Sequence, residues 1–426
     1  MEIQTAKGVK DLPPEEKILK NKVVNTITRA FELYGFAPLE TPILERYETL
    51  AAKYGAGVES DALKETFKLS DQGGRQLGLR FEFTTSLARY VAQNSSLKMP
   101  FKVYQVGSVF RDGPIKAGRE REFWQADADT IGTLSMLAEA EQISLLVDVF
   151  RQLNFKFVVK VNNRKLVNGI LMQSGITTKQ KEVMIAIDKL DKIGNAGVGE
   201  ELKRLGFDKR QITKLIGFLS IKYTLSSLSK VITAPEGNAG VAELQELFGY
   251  LKAMGADKNV ELDLTLVRGQ AYYTGTVIEA YLKNSTITSS IAAGGRYDQM
   301  IGNFAGGGRE IPAVGVSFGI TPIMEQMKAQ NKLEERTPAK VLVIPINVVG
   351  EALKIAQELR ASGIPADFAL GKKGVSKNLE YANALGIKYV AIVGEEELKK
   401  KKVLLKEMNS GTEQMLSVKD LVRKLQ

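Results

Sequence analysis

The sequence predicts an α+β chain: a mostly antiparallel sheet flanked by helices, a helical insertion, and a small α/β domain at the C-terminal end. Three observations carry this. Strand-like alternation dominates between Thr66 and Ile131 and returns after Glu261. From Lys165 to about Met254 the periodicity is helical, broken by Gly194–Gly199 and Gly237–Gly240. After the polar stretch Lys328–Pro338, strand and helix patterns alternate at short spacing. At 426 residues the chain exceeds what a single hydrophobic core usually holds, so two or three domains are expected.

The elements follow in order. Asp11-Leu-Pro-Pro caps an amphipathic helix whose stripe is Leu19, Val23, Ile27 and Phe31, ending at Gly35. Pro38–Glu45 reads as extended around Pro42. Thr66–Leu69, Gly78–Phe83, Lys102–Phe110 and Phe123–Ile131 alternate as strands, with Gly73-Gly74 and Asp112–Gly118 as turns, and Met136–Leu153 is helical. Phe155–Val161 precedes the helical insertion; Glu261–Val267, Thr274–Tyr281 and Ile287–Ala293 follow it as strands. Gly302–Gly308 (GNFAGGG) reads as a flexible loop, and Ala313–Phe318 as a strand leading into a helix. The last domain reads as Lys340–Ile346, Glu351–Ser362, Ala366–Leu370, Lys377–Leu385, Tyr389–Val393, Val403–Leu405 and Leu416–Leu425.

Composition narrows the chemistry. The chain has no Cys and no His, which removes disulfides, thiolate nucleophiles, histidine acid–base pairs and the usual zinc sites. Carboxylates, arginines, tyrosines and the substrate itself must carry any reaction, and a metal would be a hard cation, Mg²⁺ arriving with a nucleotide. No apolar run approaches a membrane span, and MEIQTAKGVKDLPPEEK lacks the apolar core of a secretory signal, so a cytoplasmic protein is expected. The net charge is +10. Between Pro338 and Gln426 stand 15 basic and 10 acidic residues, so half of that excess sits in about a fifth of the chain. A lysine-rich soluble surface explains such an excess by itself; a polyanion such as RNA is the sharper reading.

Two stretches concentrate polar groups in strand-like sequence. Leu79–Asp129 holds Glu82, Thr84, Arg111, Arg119, Arg121, Gln125 and Asp129, and Leu266–Asp298 adds Arg268 and Tyr272–Tyr273. Carboxylates, an amide and phenols suit a small cationic ligand, while separate arginines suit phosphates. A site needing both binds an amino acid beside a nucleotide. Each residue alone has a plainer reading: the arginines as ion-paired surface groups, the tyrosines as a half-buried strand pair, and Lys399–Lys402 as a solvated face. Gly302–Gly308 lacks the Lys-Ser/Thr of a phosphate loop and is better read as a mobile hairpin. Gly294-Gly295 in AAGGRYD would let a ligand approach the strand backbone.

Taken together, LRFEFT, FRDGPIKAGREREFWQADAD, LVRGQAYYTG and SIAAGGRYD, in this order, resemble the histidyl-tRNA synthetase family, in its archaeal and eukaryotic-like variant as judged by FTTSLARY. KGVKD, TPILE with Pro42, NNRKL, IDKLDKIG and GEEEL extend the resemblance over nearly the whole chain. It implies a class II synthetase core and an anticodon-binding α/β domain, divided as 1–164 (core with the first two motifs), 165–254 (helical insertion), 255–327 (second part of the core), 328–338 (linker) and 339–426 (anticodon domain). It implies ATP-dependent activation of L-histidine and transfer to tRNA-His by a homodimer, with Mg²⁺ accompanying the nucleotide. Glu82, Thr84, Gln125, Asp129, Tyr272 and Tyr273 match the positions that hold histidine. Arg111 matches the arginine on the α-phosphate and substrate carboxylate, Arg119 the one on the distal phosphates, and Phe123 the aromatic on adenine. Arg268 matches an arginine that acts at the α-phosphate and beside the substrate, so Arg111 and Arg268 are the expected catalytic pair.

Three positions depart from the family pattern. Pro322 stands where the third motif carries an ATP-binding arginine, Gln270-Ala271 replaces the usual Leu-Asp, and Glu120 replaces an aromatic between the loop arginines. Arg111, Arg119 and Arg268, or Arg309 nearby, would then supply the cations. The alternative reading is a non-catalytic synthetase-like regulatory or RNA-sensing protein. Such relatives lose the arginines and often the anticodon domain; this chain keeps both.

Overall fold

The computed structural model describes residues 3–52, 61–115, 120–267, 272–305, 310–330, 336–371 and 374–426. Two compact units form, one from Met1–Lys10 and Val23–Gln326, the other from Asp11–Lys22 and Met327–Gln426. The strands of the first unit are β1 (Ala37–Pro38), β2 (Leu44–Arg46), β3 (Lys68–Ser70), β4 (Gln76–Leu79), β5 (Phe101–Phe110), β6 (Glu122–Ile131), β7 (Phe157–Asn163), β8 (Val260–Leu262), β9 (Thr276–Leu282), β10 (Ala292–Arg296) and β11 (Ala313–Gly319). Eight of them make one sheet in the order β1-β5-β6-β11-β10-β9-β7-β8, parallel only at β1/β5 and β7/β8. A second sheet, β2-β4-β3, is antiparallel.

The large sheet separates its faces by strict alternation. In β6, Ala126 and Ala128 face the same way as Phe318 and Val316 of β11 and Tyr104 of β5, their register partners. Onto this face packs the helix Met136–Gln152, along which Ile143, Leu146, Val147 and Phe150 are fully buried. Phe150 meets Phe318 edge-on at 5.6 Å, and Phe31 of the helix Pro14–Leu33 meets it at 5.7 Å. Burying side chains of this size stabilises by roughly 2–3 kcal/mol each, which fixes the register of the sheet. The opposite face carries Gln125, Asp127 and Asp129, and its glycines leave room there.

Between β7 and β8 the chain forms six helices among the described residues, from Arg164–Gln173 to Pro235–Ala253. The first and last of these approach closely, because a Cβ at Gly169 would lie 2.4 Å from the Cα of Gly237. Several boundaries differ from those read in the sequence. Gly78–Phe83 is not one strand: β4 stops at Leu79, and Glu82 accepts from the Thr85 amide at 3.2 Å, starting the helix Thr84–Gln93. Glu261–Val267 is cut at Leu262, because Asp263 accepts from the Thr265 amide and hydroxyl and turns the chain. Ile287–Ala293 is displaced to Ala292–Arg296, so Gly294 and Gly295 lie inside the strand. The first part of Gly302–Gly308 is helical in Met300–Ala305, with Met300 and Ile301 buried; residues 306–309 lie outside the described residues. The helix Ile320–Ala329 takes in the first two residues of the stretch 328–338, of which 331–335 lie outside the described residues.

The second unit contains β12 (Val341–Pro345), β13 (Ala366–Phe368), β14 (Tyr389–Val393), β15 (Val403–Glu407) and β16 (Glu413–Leu416) in the order β13-β12-β14-β15-β16. The first three run parallel, and an antiparallel hairpin completes the sheet. Val341, Val343, Leu359, Ala391, Val393 and Leu421 form one side of its core, and Leu342, Ile344, Ala382 and Val390 the other. No helix among the described residues is long and apolar enough to cross a membrane.

Candidate active site

β6 supplies the centre of the site. Its alternation points Phe123, Gln125, Asp127 and Asp129 to one face, opposite Gly319, Ser317 and Gly315 of β11 at the last three. Gly315 is required by Asp129: an added Cβ would sit 1.9 Å from its Oδ1. That oxygen accepts from the Tyr297 hydroxyl at 2.5 Å, and both residues are buried. Burial raises the Asp129 carboxyl to about 7, with Glu82 adding to the rise and the Tyr297 hydrogen bond opposing it. Tyr297 is itself pushed well above the usual phenol range, by burial first and then by the charge of Asp129. Asp127 rises well above a normal carboxyl for the same reasons: burial, then the charge of Asp129. The Ser317 hydrogen bond and the charge of Arg111 pull it back.

Around this acidic strand stand the other elements. Glu82 Oε1 is held by the Thr85 hydroxyl at 2.6 Å as well as by its amide, and the neighbouring Thr84 is half-buried at the first helical position. The Tyr272 and Tyr273 rings lie 4.5 Å apart with their hydroxyls at 3.4 Å, and Tyr272 packs on the apolar cluster that contains Tyr297. Gly295, at φ 154°, clears the ring of Tyr273, which would come within 2.9 Å of a Cβ there. Below them a buried network ties the segments together. Glu139 takes both the Nε and Nη2 of Arg296 at 2.6 and 2.8 Å. Arg296 Nη1 reaches Asp298 at 3.1 Å, and Asp298 accepts from the Thr274 hydroxyl at 2.8 Å.

The cationic side begins at the end of β5. The Arg111 guanidinium lies between two rings, 4.2 Å from the centroid of Phe81 and 4.8 Å from that of Phe123. Its amide is bonded to the Arg121 carbonyl, the Arg121 amide reaches Gly8 of the KGVKD segment, and the Arg121 side chain pairs with Asp112 at 3.1 Å. Glu120, the departure from an aromatic, pairs with Lys10 at 2.7 Å. Pro322 sits in the third position of the helix after β11, against Gly319. Arg119, Arg268, Gln270, Ala271 and Arg309 lie outside the described residues.

The structure thus gathers Glu82, Arg111, Phe123, Gln125, Asp129, Tyr272 and Tyr273 around one face of the sheet. Three further residues belong to the same site and were not singled out from the sequence: Asp127, Tyr297 and Ser317. Period-two alternation places Asp127 between Gln125 and Asp129, and carries Tyr297 onto the face of Gly295; both signals were present. Ser317 gives no signal until β11 is known to pair with β6.

Acidic and phenolic side chains thus adjoin a stacked arginine, on a chain that is similar to known proteins. The sequence model described as "Histidyl-tRNA synthetase" matches residues 8–323, and that described as "Anticodon binding domain" matches residues 340–426. "Histidine--tRNA ligase 1" of Bacillus cereus is 41% identical, with 100% of both chains covered. "Histidine--tRNA ligase" of Clostridium tetani is 37% identical, covering 98% of this chain and 96% of its own. The crystal structure of histidyl-tRNA synthetase from Nostoc sp. PCC 7120 superposes with a TM-score of 0.89 at 32% identity, covering 100% of this chain and 99% of that one. An "ATP phosphoribosyltransferase regulatory subunit/histidyl-tRNA synthetase" from Bacillus halodurans, at 24% identity and TM-score 0.76 over 92% of this chain, shares the fold. These relatives are bacterial, which corrects the archaeal and eukaryotic-like expectation. FTTSLARY is an unsafe marker of lineage, because Phe83, Thr85, Ser86, Leu87 and Ala88 are buried and answer to packing. Matched from end to end by such relatives, and over residues 8–323 by the family's own sequence model, the chain belongs to the histidyl-tRNA synthetase family.

Proposed function

We propose that the chain is a histidine–tRNA ligase, which activates L-histidine with ATP to histidyl-adenylate and transfers the histidyl group to the 3′ end of tRNA-His. The observation that carries the residue assignment is the buried Asp129–Tyr297 pair beside Gln125 and Glu82. Asp129 keeps one carboxylate oxygen on Tyr297 and has the other for an imidazole N–H, so a ligand lacking that donor leaves a buried acceptor unsatisfied. Gln125, Glu82 and Thr84 take the α-ammonium, and Tyr272 and Tyr273 close over the ring. Arg111, stacked on Phe123, aligns the carboxylate of histidine with the α-phosphate of ATP. Phe123 then offers a ring edge and its remaining face to adenine.

Attack of a carboxylate on a phosphate brings two anions together. Fixed guanidinium charge lowers that barrier without a proton transfer, which suits a chain with no histidine. Arg268 and Arg119 are proposed to add charge at the α- and distal phosphates. Mg²⁺ is proposed to enter bound to the phosphates of ATP, as a hard cation with oxygen ligands. Residues 165–254 are inferred to act as a helical insertion into the core, and 339–426, with their basic excess, as the tRNA-anticodon module. A cytoplasmic homodimer is proposed, its contact built on the Pro42 segment. Ile43 and Leu44 are exposed there at the edge of the small sheet, beside a cleft of about 500 Å³ lined by Glu45 and Arg89.

ATP–pyrophosphate exchange tests the activity: it should depend on L-histidine and not on the other amino acids. Exchange that is absent, or independent of histidine, overturns the assignment. Light scattering tests the dimer, which Leu44→Lys should split.

A further inference from the structure

Asp127 is the one buried acid on the pocket face of β6 without a part in the scheme above. Its partner is Ser317, whose hydroxyl donates to Asp127 Oδ1 at 2.5 Å. The same hydroxyl oxygen receives Gln125 Nε2 at 2.9 Å. The Ser317 hydroxyl has a single proton, and with that proton directed at Asp127 its oxygen is left to accept from a neighbour. The Gln125 amide must therefore present its NH₂ to Ser317 and turn its carbonyl away. That carbonyl oxygen, Oε1, is buried and has no hydrogen-bond partner among the described residues. A buried acceptor in this state costs free energy until a ligand supplies a donor. Glu82 is felt as a negative charge by both Asp127 and Asp129, which share the β6 face with Gln125, so the donor that fits is a cation.

We propose that Asp127 and Ser317 are positioning residues that lock the Gln125 amide carbonyl-outward, so that this end of the pocket accepts only a ligand carrying a protonated α-amino group. The arriving ammonium favours the ionised form of Asp127, which in turn holds the relay in the orientation the ammonium needs. The inference rests on the histidine-binding reading of the site and adds two residues and a direction of polarity to it. Asp127→Asn is the sharpest perturbation, because Asn can donate to the Ser317 oxygen. The serine proton then turns to Gln125, the amide reverses, and NH₂ faces the ammonium.

The test compares L-histidine with 3-(imidazol-4-yl)propanoate, which is histidine without its amino group, in the full-length enzyme. Ser317→Ala should raise the KM for histidine about ten- to a hundred-fold, the range for one hydrogen bond to a charged group. The inhibition constant of the deamino analogue and the KM for ATP should stay within about twofold. Asp127→Asn should lose more histidine affinity than Ser317→Ala, again sparing the analogue, and Ser317→Thr, which keeps the hydroxyl, should restore binding. Parallel loss of histidine and analogue would make both residues merely structural and overturn the relay. So would unchanged histidine KM in both Ser317→Ala and Asp127→Asn, or a Ser317→Thr enzyme no better than the alanine variant. Failure of the wild-type enzyme to use histidine would instead overturn the functional reading, so the two failures are told apart.

Discussion

Asp129→Asn should make the protein more stable above neutral pH while impairing its use of histidine. The folded carboxyl titrates at about 7 against 3.8 for the ordinary group. An acid with a raised folded value contributes stability that is full below the unfolded value and is lost as the pH climbs through the folded one. Here the window is pH 4 to 7, and above it the wild type carries a buried charge. The separation is roughly three units, which at about 1.36 kcal/mol per unit amounts to an upper limit on the order of 4 kcal/mol. Asparagine keeps an acceptor for the Tyr297 hydroxyl and never ionises, but it buries a polar NH₂, so about half of that limit is expected. Thermal unfolding of both proteins from pH 4.5 to pH 8.5 measures the effect. The midpoints should start close together and diverge, with the variant higher at the alkaline end. In pyrophosphate exchange the variant should need about tenfold more histidine or worse, because with its oxygen on Tyr297 it turns an NH₂, itself a donor, toward the proposed imidazole N–H. Parallel unfolding curves, or a variant less stable at pH 8, would refute the account of Asp129 as a destabilised carboxylate.

Other outcomes follow from the same geometry. Gly315→Ala should displace Asp129, since the new methyl and Oδ1 would need the same space, and should raise the histidine KM with little change for ATP; equal KM values for histidine would refute the packing argument. Glu139→Ala leaves the buried Arg296 guanidinium with Asp298 and the Thr133 carbonyl, and should cost about 3–5 kcal/mol in denaturant unfolding. Arg268→Ala should slow single-turnover adenylate formation by orders of magnitude with a smaller effect on histidine affinity; normal adenylate formation would dismiss its proposed role. A chain ending near Arg336 should retain pyrophosphate exchange and charge tRNA poorly, while tRNA binding by the full chain weakens steeply with salt.

How much was legible depended on what each segment answers to. The hairpin β5/β6 and the helix Met136–Gln152 were readable because one face of each is packed against the core, and burial imprints its period on the sequence. β10 was misplaced because Gly294 and Gly295 carry no side chain to show alternation. They are glycines because Tyr273 and the backbone of β11 crowd them, and that crowding is tertiary. The helix through Ala305 was missed for a similar reason, its glycine-rich composition hiding the buried Met300 and Ile301. In the candidate site, the residues matching a family motif were named by resemblance. Ser317 lay beyond reach, since its meaning comes from a strand pairing 190 residues away in sequence from Asp127.

A chain without histidine that is built to hold histidine has a clean spectroscopic window on its own pocket. Every imidazole resonance in the complex belongs to the ligand, so its tautomer and protonation state can be followed in unlabelled protein. Against that silent background the carboxyl of Asp129 titrates in the range where imidazole itself does. A ligand imidazole and that carboxyl are thus matched in acidity, so contact between them would show in the ligand's own titration curve. Were histidine seated on the Asp129–Tyr297 pair, the shifted titration of its ring would report occupancy directly.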